Sequence, residues 1–172
     1  MISIRKATQA DSQLVQGIYH RAILGHCLGT YSPKIIRQWT QPVRPIMFEH
    51  LVEQYVYIAV EDQEPVGISC YNSQSEYLNG IYIEPRYMGS GIGKMLLQHQ
   101  ENLLISQGKI EIELRVTLNA VPFYRHLGYS FISESISKIP LQDEIIYSHM
   151  IKSLHRKSTQ NQRLVLLQMS AA

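Results

Sequence analysis

At 172 residues the chain is the size of one domain, long enough to bury a sizeable core and too short for two. Hydrophobic residues make up 45% and charged ones 17%, an ordinary globular balance. A formal net charge of +2 supplies no whole-molecule field of the kind that holds nucleic acid or an anionic membrane.

No apolar run approaches the ~20 residues that a membrane span requires. Residues 1–6 read as a strand rather than a secretory leader. Cys27 and Cys70 stand apart, with no CxxC pair and no histidine at metal-binding spacing, so no metal site is expected. A cytoplasmic protein with two reduced thiols is the expectation.

Taken in chain order, residues 2–6 alternate as a strand does. Thr8 to Asp11 then supply capping oxygens before Leu14, Val15, Ile18, Tyr19, Ala22 and Ile23, which are apolar at helical spacing. Residues 25–31 read as loop. Ser32 and Pro33 open a short helix through Ile35, Ile36 and Trp39, broken by Pro42 and Pro45, and a third helical stretch covers residues 46–54.

The period then changes from helical to two. Residues 55–61 and 66–72 are strands joined by a hairpin signal at 62–65, and 77–83 form a third strand ended by Pro85. A glycine-rich loop leads into a helix over 91–107, stopped by Gly108. Residues 110–117 are a strand, 121–127 a short helix, and 129–139 with 145–152 a closing hairpin. This order predicts an α/β (α+β) domain with a central mixed, mostly antiparallel sheet of about seven strands and helices on both faces. The domain is expected to span residues 1–152, with 153–172 as a C-terminal extension.

The most informative segment lies between the third strand of the meander and the long helix. Gly89, Gly91 and Gly93 let the backbone approach a ligand closely. The helix start leaves free N–H groups that suit an anion, and a diphosphate is the natural guest. A Walker loop fails twice: Met88 stands where its first glycine belongs, and Met95 where Ser or Thr belongs. The dinucleotide fingerprint fails too, because the third glycine comes one residue early and three antiparallel strands precede the loop.

The run Ile83-x-Pro85-x-Tyr87-Met88-Gly89-Ser90-Gly91-Ile92-Gly93-Lys94 resembles the acyl-CoA signature of the GNAT N-acetyltransferases. That signature has Gln or Arg, two residues, Gly, one residue, then Gly or Ala. Two registers fit. Arg86 with Gly89 and Gly91 matches literally, whereas alignment on Gly91-Ile92-Gly93-Lys94 puts Met88 at the Gln or Arg position and starts the helix at the last glycines.

A second block, Asn119-Ala120-Val121-Pro122-Phe123-Tyr124-Arg125-His126-Leu127-Gly128-Tyr129, is similar to the family segment that follows its fifth strand. The two blocks occur in the family order, and the resemblance covers residues 2–151. It implies the acyl-CoA N-acyltransferase fold, acetyl-CoA as co-substrate and transfer of acetyl to a primary amine. Loop amides from Met88, Gly89, Ser90, Gly91, Ile92, Gly93 and Lys94 would hold the pyrophosphate. Ile81 and Ile83 would bond the pantetheine through the strand edge, and Asn119 would hydrogen-bond coenzyme A. Tyr124 would donate a proton to the leaving thiolate, since a phenol with a pKa of about 10 is protonated at neutral pH.

For the base, the resemblance points to Glu76, acting through water, with Glu84 and His26 as competitors; Glu76 also reads as a solvated turn glutamate, and many members of the family need no dedicated base. It places the acceptor pocket around residues 26–31, Trp39 and part of 132–138, although Tyr31 and Trp39 read equally as core aromatics. Two other classes keep the same motifs: a catalytically silent coenzyme A sensor and a dimerising structural domain.

In the extension, Leu164-Val165-Leu166-Leu167 is too apolar to remain in water. Each such side chain is worth roughly 1.5–3 kcal/mol when buried. A homodimer held in part by this segment is expected. Light scattering should give a dimer for the full chain and a monomer after deletion of residues 153–172. A full-length monomer at tens of micromolar would sink the idea.

Overall fold

The computed structural model describes residues 1–41, 45–72, 80–138 and 144–154. Among them run strand β1 (Ile2–Lys6), helices α1 (Ser12–His26), α2 (Pro33–Trp39) and α3 (Pro45–Tyr55), and strands β2 (Val56–Glu61), β3 (Glu64–Cys70) and β4 (Gly80–Ile83). Then come α4 (Ile92–Ser106), β5 (Glu111–Thr117), α5 (Val121–His126), β6 (Ser130–Lys138) and β7 (Glu144–Ser153). The expected elements are all present, with ends shifted by a few residues.

Local chemistry explains the helix starts. Asp11 accepts from the Thr8 N–H (2.8 Å) and hydroxyl (2.9 Å), closing the turn that feeds α1. The Arg5 guanidinium grips the same carboxylate at 2.8 and 2.7 Å and holds it well below the usual carboxylate range. Ser32 accepts from the Ile35 N–H ahead of α2, with Pro33 in the first turn. The β2–β3 hairpin turns at Asp62 and Gln63, both in the left-handed region at φ 48° and 67°, although neither is glycine.

The strands form two antiparallel sheets, ordered β1-β2-β3-β4 and β5-β7-β6. The seven expected strands are there, but β4 and β5 approach each other without pairing. Helices cover both faces of the first sheet. Ile58 packs with Val15 and Ile18 of α1 and Val52 of α3, whereas its neighbour Ala59 packs with Ile92 and Leu96 of α4. Trp39 and Tyr31 are core residues, meeting edge to face at 5.7 Å. The closing strand runs to Ser153, and Leu154 is buried with its N–H on the Ile110 carbonyl (2.7 Å), so the first residues of the expected extension belong to the domain body.

Gly67 marks a close approach in the centre of β3. A Cβ there would lie 2.7 Å from Ile83 Cδ1, 3.2 Å from the Tyr82 carbonyl oxygen and 3.3 Å from Leu96 Cδ1. Gly67→Ala should therefore destabilise the fold by about 1–3 kcal/mol, the usual range for overpacking. Urea unfolding would measure it, and an unchanged midpoint would show that the core yields freely.

Candidate active site at the open edge of β4

The Glu84 N–H donates to the Val66 carbonyl (3.0 Å), which fixes the phase of the β3–β4 ladder. Residues 80 and 82 therefore turn their backbone groups toward β3, and Ile81 and Ile83 turn theirs toward the gap at β5. Both outward residues are met by side chains from outside the sheet. The Ile81 N–H faces the Tyr124 phenol oxygen and favours its charged form. The His26 Nε2–H donates to the Ile83 carbonyl (2.9 Å), a role fixed by the fact that a carbonyl only accepts. His26 Nδ1 is buried and has no hydrogen-bond partner among the described residues.

Tyr124 is 5% exposed on α5, and burial raises its phenol well above the ordinary value; the Ile81 N–H works the other way. Asn119, in the turn between β5 and α5, donates to the His26 carbonyl (3.0 Å) and accepts from the Cys27 thiol (3.7 Å). Its side chain thus ties the end of α1 to the end of β5. Burial pushes the Cys27 thiol up to about 11, so the group stays a thiol. Tyr31 bridges the same region, accepting from the Leu118 N–H (3.0 Å) and donating to the Ile146 carbonyl (2.8 Å).

The glycine loop follows β4 directly. Gly89 and Gly91 have φ of 78° and 87°, and a Cβ at either would meet open space. The residue needs glycine for its backbone, and the space beside it is free for a ligand. Met88 and Ser90 donate their N–H groups to Pro85 and Tyr87 carbonyls, and the first helical bond is Met95 N–H to the Gly91 carbonyl (3.1 Å). Among the described residues, the N–H groups of Gly89, Gly91, Ile92, Gly93 and Lys94 have no acceptor, and they sit at the positive end of a 15-residue helix.

The side chains of this loop are committed differently. Ile92 is core, so only its backbone reaches the site, and Gly93 lies against Phe123, where a Cβ would be 3.3 Å from the ring. Met88 is 65% exposed and Lys94 is exposed. Arg86, the literal match to the signature's first position, is paired with Glu64, which also accepts from the Tyr87 hydroxyl (3.0 Å). Of the candidate bases, Glu76 lies outside the described residues. Glu84 is buried and gripped by Arg21 through contacts of 2.6, 3.0 and 3.1 Å, so it is committed to an ion pair. The described residues hold no cluster of His, Cys, Asp or Glu arranged for a metal, and none of their helices is long and apolar enough to cross a membrane.

The family description "Acetyltransferase (GNAT) domain" matches residues 27–154, well over half of the chain. The chain belongs to the GNAT acetyltransferase family. As a member it is an acetyl-CoA-dependent acyltransferase. It is 26% identical over 133 residues to an uncharacterized N-acetyltransferase, YafP, of Escherichia coli K12, covering 77% of this chain and 84% of that one. It is 26% identical over 136 residues to the peptidyl-lysine N-acetyltransferase YjaB of Salmonella typhimurium, covering 78% and 88%. Its fold resembles a GCN5-related N-acetyltransferase of Rhodopseudomonas palustris (TM-score 0.82, 21% identity, 88% and 95% covered). It also resembles the PaiA N-acetyltransferase of Thermoplasma acidophilum in complex with coenzyme A (TM-score 0.68, 20% identity, 89% and 99% covered).

Two features of the GNAT site escaped the sequence. The Arg21–Glu84 pair joins residues 63 apart, and no local pattern announces it. Glu101 did leave a trace, a carboxylate in helical register between Leu97 and Leu104 on the apolar face of α4.

Gly91→Val places a β-branched residue at φ 87° and a side chain in the free space beside the amides. Coenzyme A binding by calorimetry should be lost while the circular dichroism spectrum is kept. Unchanged affinity would remove the loop from the binding site.

Proposed function

We propose that this chain transfers the acetyl group of acetyl-CoA to a primary amine of a small molecule or peptide, by direct attack, with Tyr124 as the general acid. The observation that carries the proposal is the placement of a buried, neutral phenol on the open edge of β4, with the Ile81 N–H facing it. That approach is to the phenol oxygen as an acceptor and leaves its proton to be given away. The pyrophosphate lies on the free amides of Gly89 and of Gly91 to Lys94, and the pantetheine runs along the Ile81–Ile83 edge past Asn119.

In the reaction the amine lone pair forms the C–N bond at the thioester carbonyl. The tetrahedral intermediate collapses, the C–S bond breaks, and its electron pair leaves on sulfur. Tyr124 supplies the proton that sulfur takes up, and the proton lost by the amine passes through water to Glu76. The Salmonella relative's name gives a reason to include lysine peptides among the acceptors. A homodimer held partly by the C-terminal segment belongs to the same proposal; residues 155–172 lie outside the described residues.

Thiol release from acetyl-CoA across a panel of amines, amino acids and lysine peptides tests the activity. Coenzyme A binding with no turnover on any acceptor would favour the silent sensor. Tyr124→Phe should lower kcat by ~10²-fold with coenzyme A affinity nearly intact. Because the phenol is raised above its ordinary value, its acid form persists as pH rises, and Tyr124 should cause no fall in kcat below pH about 10. Wild-type turnover by Tyr124→Phe with a slow-leaving acyl donor would make it a packing residue only.

A further inference from the structure

We infer that Glu101, Lys152 and Tyr129 form a part-buried ionic clamp that positions Tyr124 for proton transfer, an inference that rests on Tyr124 being the acid. On α4, Leu97, Glu101 and Leu104 share one face, and the two leucines join the core that contains Tyr124 and Tyr129. Glu101 is 9% exposed among them. A carboxylate in such a place requires partners, and it has three contacts: the Tyr129 hydroxyl at 2.9 Å and Lys152 Nζ at 2.9 and 3.1 Å. The ammonium also lies 5.3 Å from the centre of the Tyr129 ring.

Tyr129 passes this anchorage on to Tyr124 in two ways. Its ring meets the Tyr124 ring edge to face, with centroids 5.4 Å apart and planes at 80°. Its N–H donates to the Tyr124 carbonyl (3.0 Å). Phenylalanine at 129 would pack equally well, so the hydroxyl's bond to Glu101 is what tyrosine adds there. Apolar side chains at 101 and 152 would fill the same volume without desolvating two charges. The ions instead fix the orientation of Tyr129, and through it the ring that carries the proton. Glu101 lies on the helix whose first turn presents the free amides, so one rigid element sets both the acid and the anion site. None of the three side chains needs to touch substrate; they are positioning residues.

A mutant cycle tests the clamp. Tyr129→Phe should lower kcat about tenfold, the scale of loss that a small misplacement of a reacting group produces, with KM for acetyl-CoA changed less than about twofold. In a Tyr124→Phe background it should cause no further loss, because the group being positioned is gone. The pair Glu101→Leu with Lys152→Met, which removes both charges at similar volume and so spares the fold, should behave the same way in both backgrounds. An equal loss of kcat in the two backgrounds would mean a structural role alone and would overturn the inference, as would wild-type kcat in Tyr129→Phe. Tyr124→Phe measured by itself reports separately on the acid: if that variant keeps wild-type turnover, the assignment of the acid fails and the clamp with it.

Discussion

A strand edge that opens into the interior of a domain presents N–H and C=O groups that cost about 1–3 kcal/mol each if buried without partners. The parting of β4 from β5 creates such an edge, and most of the site's construction answers that constraint. The Ile81 N–H is met by the Tyr124 phenol and the Ile83 carbonyl by the His26 imidazole. Each of these is brought from an element beyond the sheet, α5 and α1. The elements are in turn joined to one another, because Asn119 holds the His26 carbonyl and Tyr31 spans from Leu118 to Ile146. The gap is therefore a built cleft in which two of the strand's outward groups are met by side chains that also have chemistry to offer.

The two faces of the first sheet divide the labour. On one face α1 ends against the turn after β4, where a Cβ on Gly25 would lie 2.6 Å from Pro85 Cγ; only glycine permits that approach. On the other face Ile92 and Leu96 plant α4 in the core, which aims its first turn at the mouth of the cleft. Arg21 and Glu84 lock the first arrangement by joining α1 to the end of β4. The cleft thus gains rigidity from the acidic residue that stands nearest to it in sequence.

Much of this was legible in the residues. The change from helical period to alternation, the prolines and the glycine stops located every strand and helix, because those signals are local. The glycine loop was legible for the same reason: left-handed φ at Gly89 and Gly91 and the free amides beyond them are properties of a short segment. Contacts between distant segments were not. The resemblance implied an open edge at Ile81 and Ile83, but nothing near them in sequence says that His26 will reach the Ile83 carbonyl from 57 residues away. Asn119 was read as a coenzyme A ligand from the resemblance; that its side chain also ties two chain segments together is something a single-residue resemblance does not reveal. The Asp62-Gln63 turn is hidden for another reason, since neither residue has the glycine that usually marks positive φ.

The balance of forces on Tyr124 determines which chemistry it can do. A phenol near the protein surface would be neutral at pH 7 and would exchange its proton with water. Burial does more than protect it, because it disfavours the phenolate and so makes the group a weaker acid in the resting state. The Ile81 N–H offsets part of that by donating to the oxygen that becomes negative when the proton leaves. In the proposed reaction a thiolate forming beside it would add the rest of the drive, since the proton would then move toward a developing charge in the same enclosed space. An acid held in this way would keep its proton until sulfur began to leave. That timing would require the ring to stand still, so under the proposal the packing around Tyr124 belongs to the chemistry as much as its hydroxyl does.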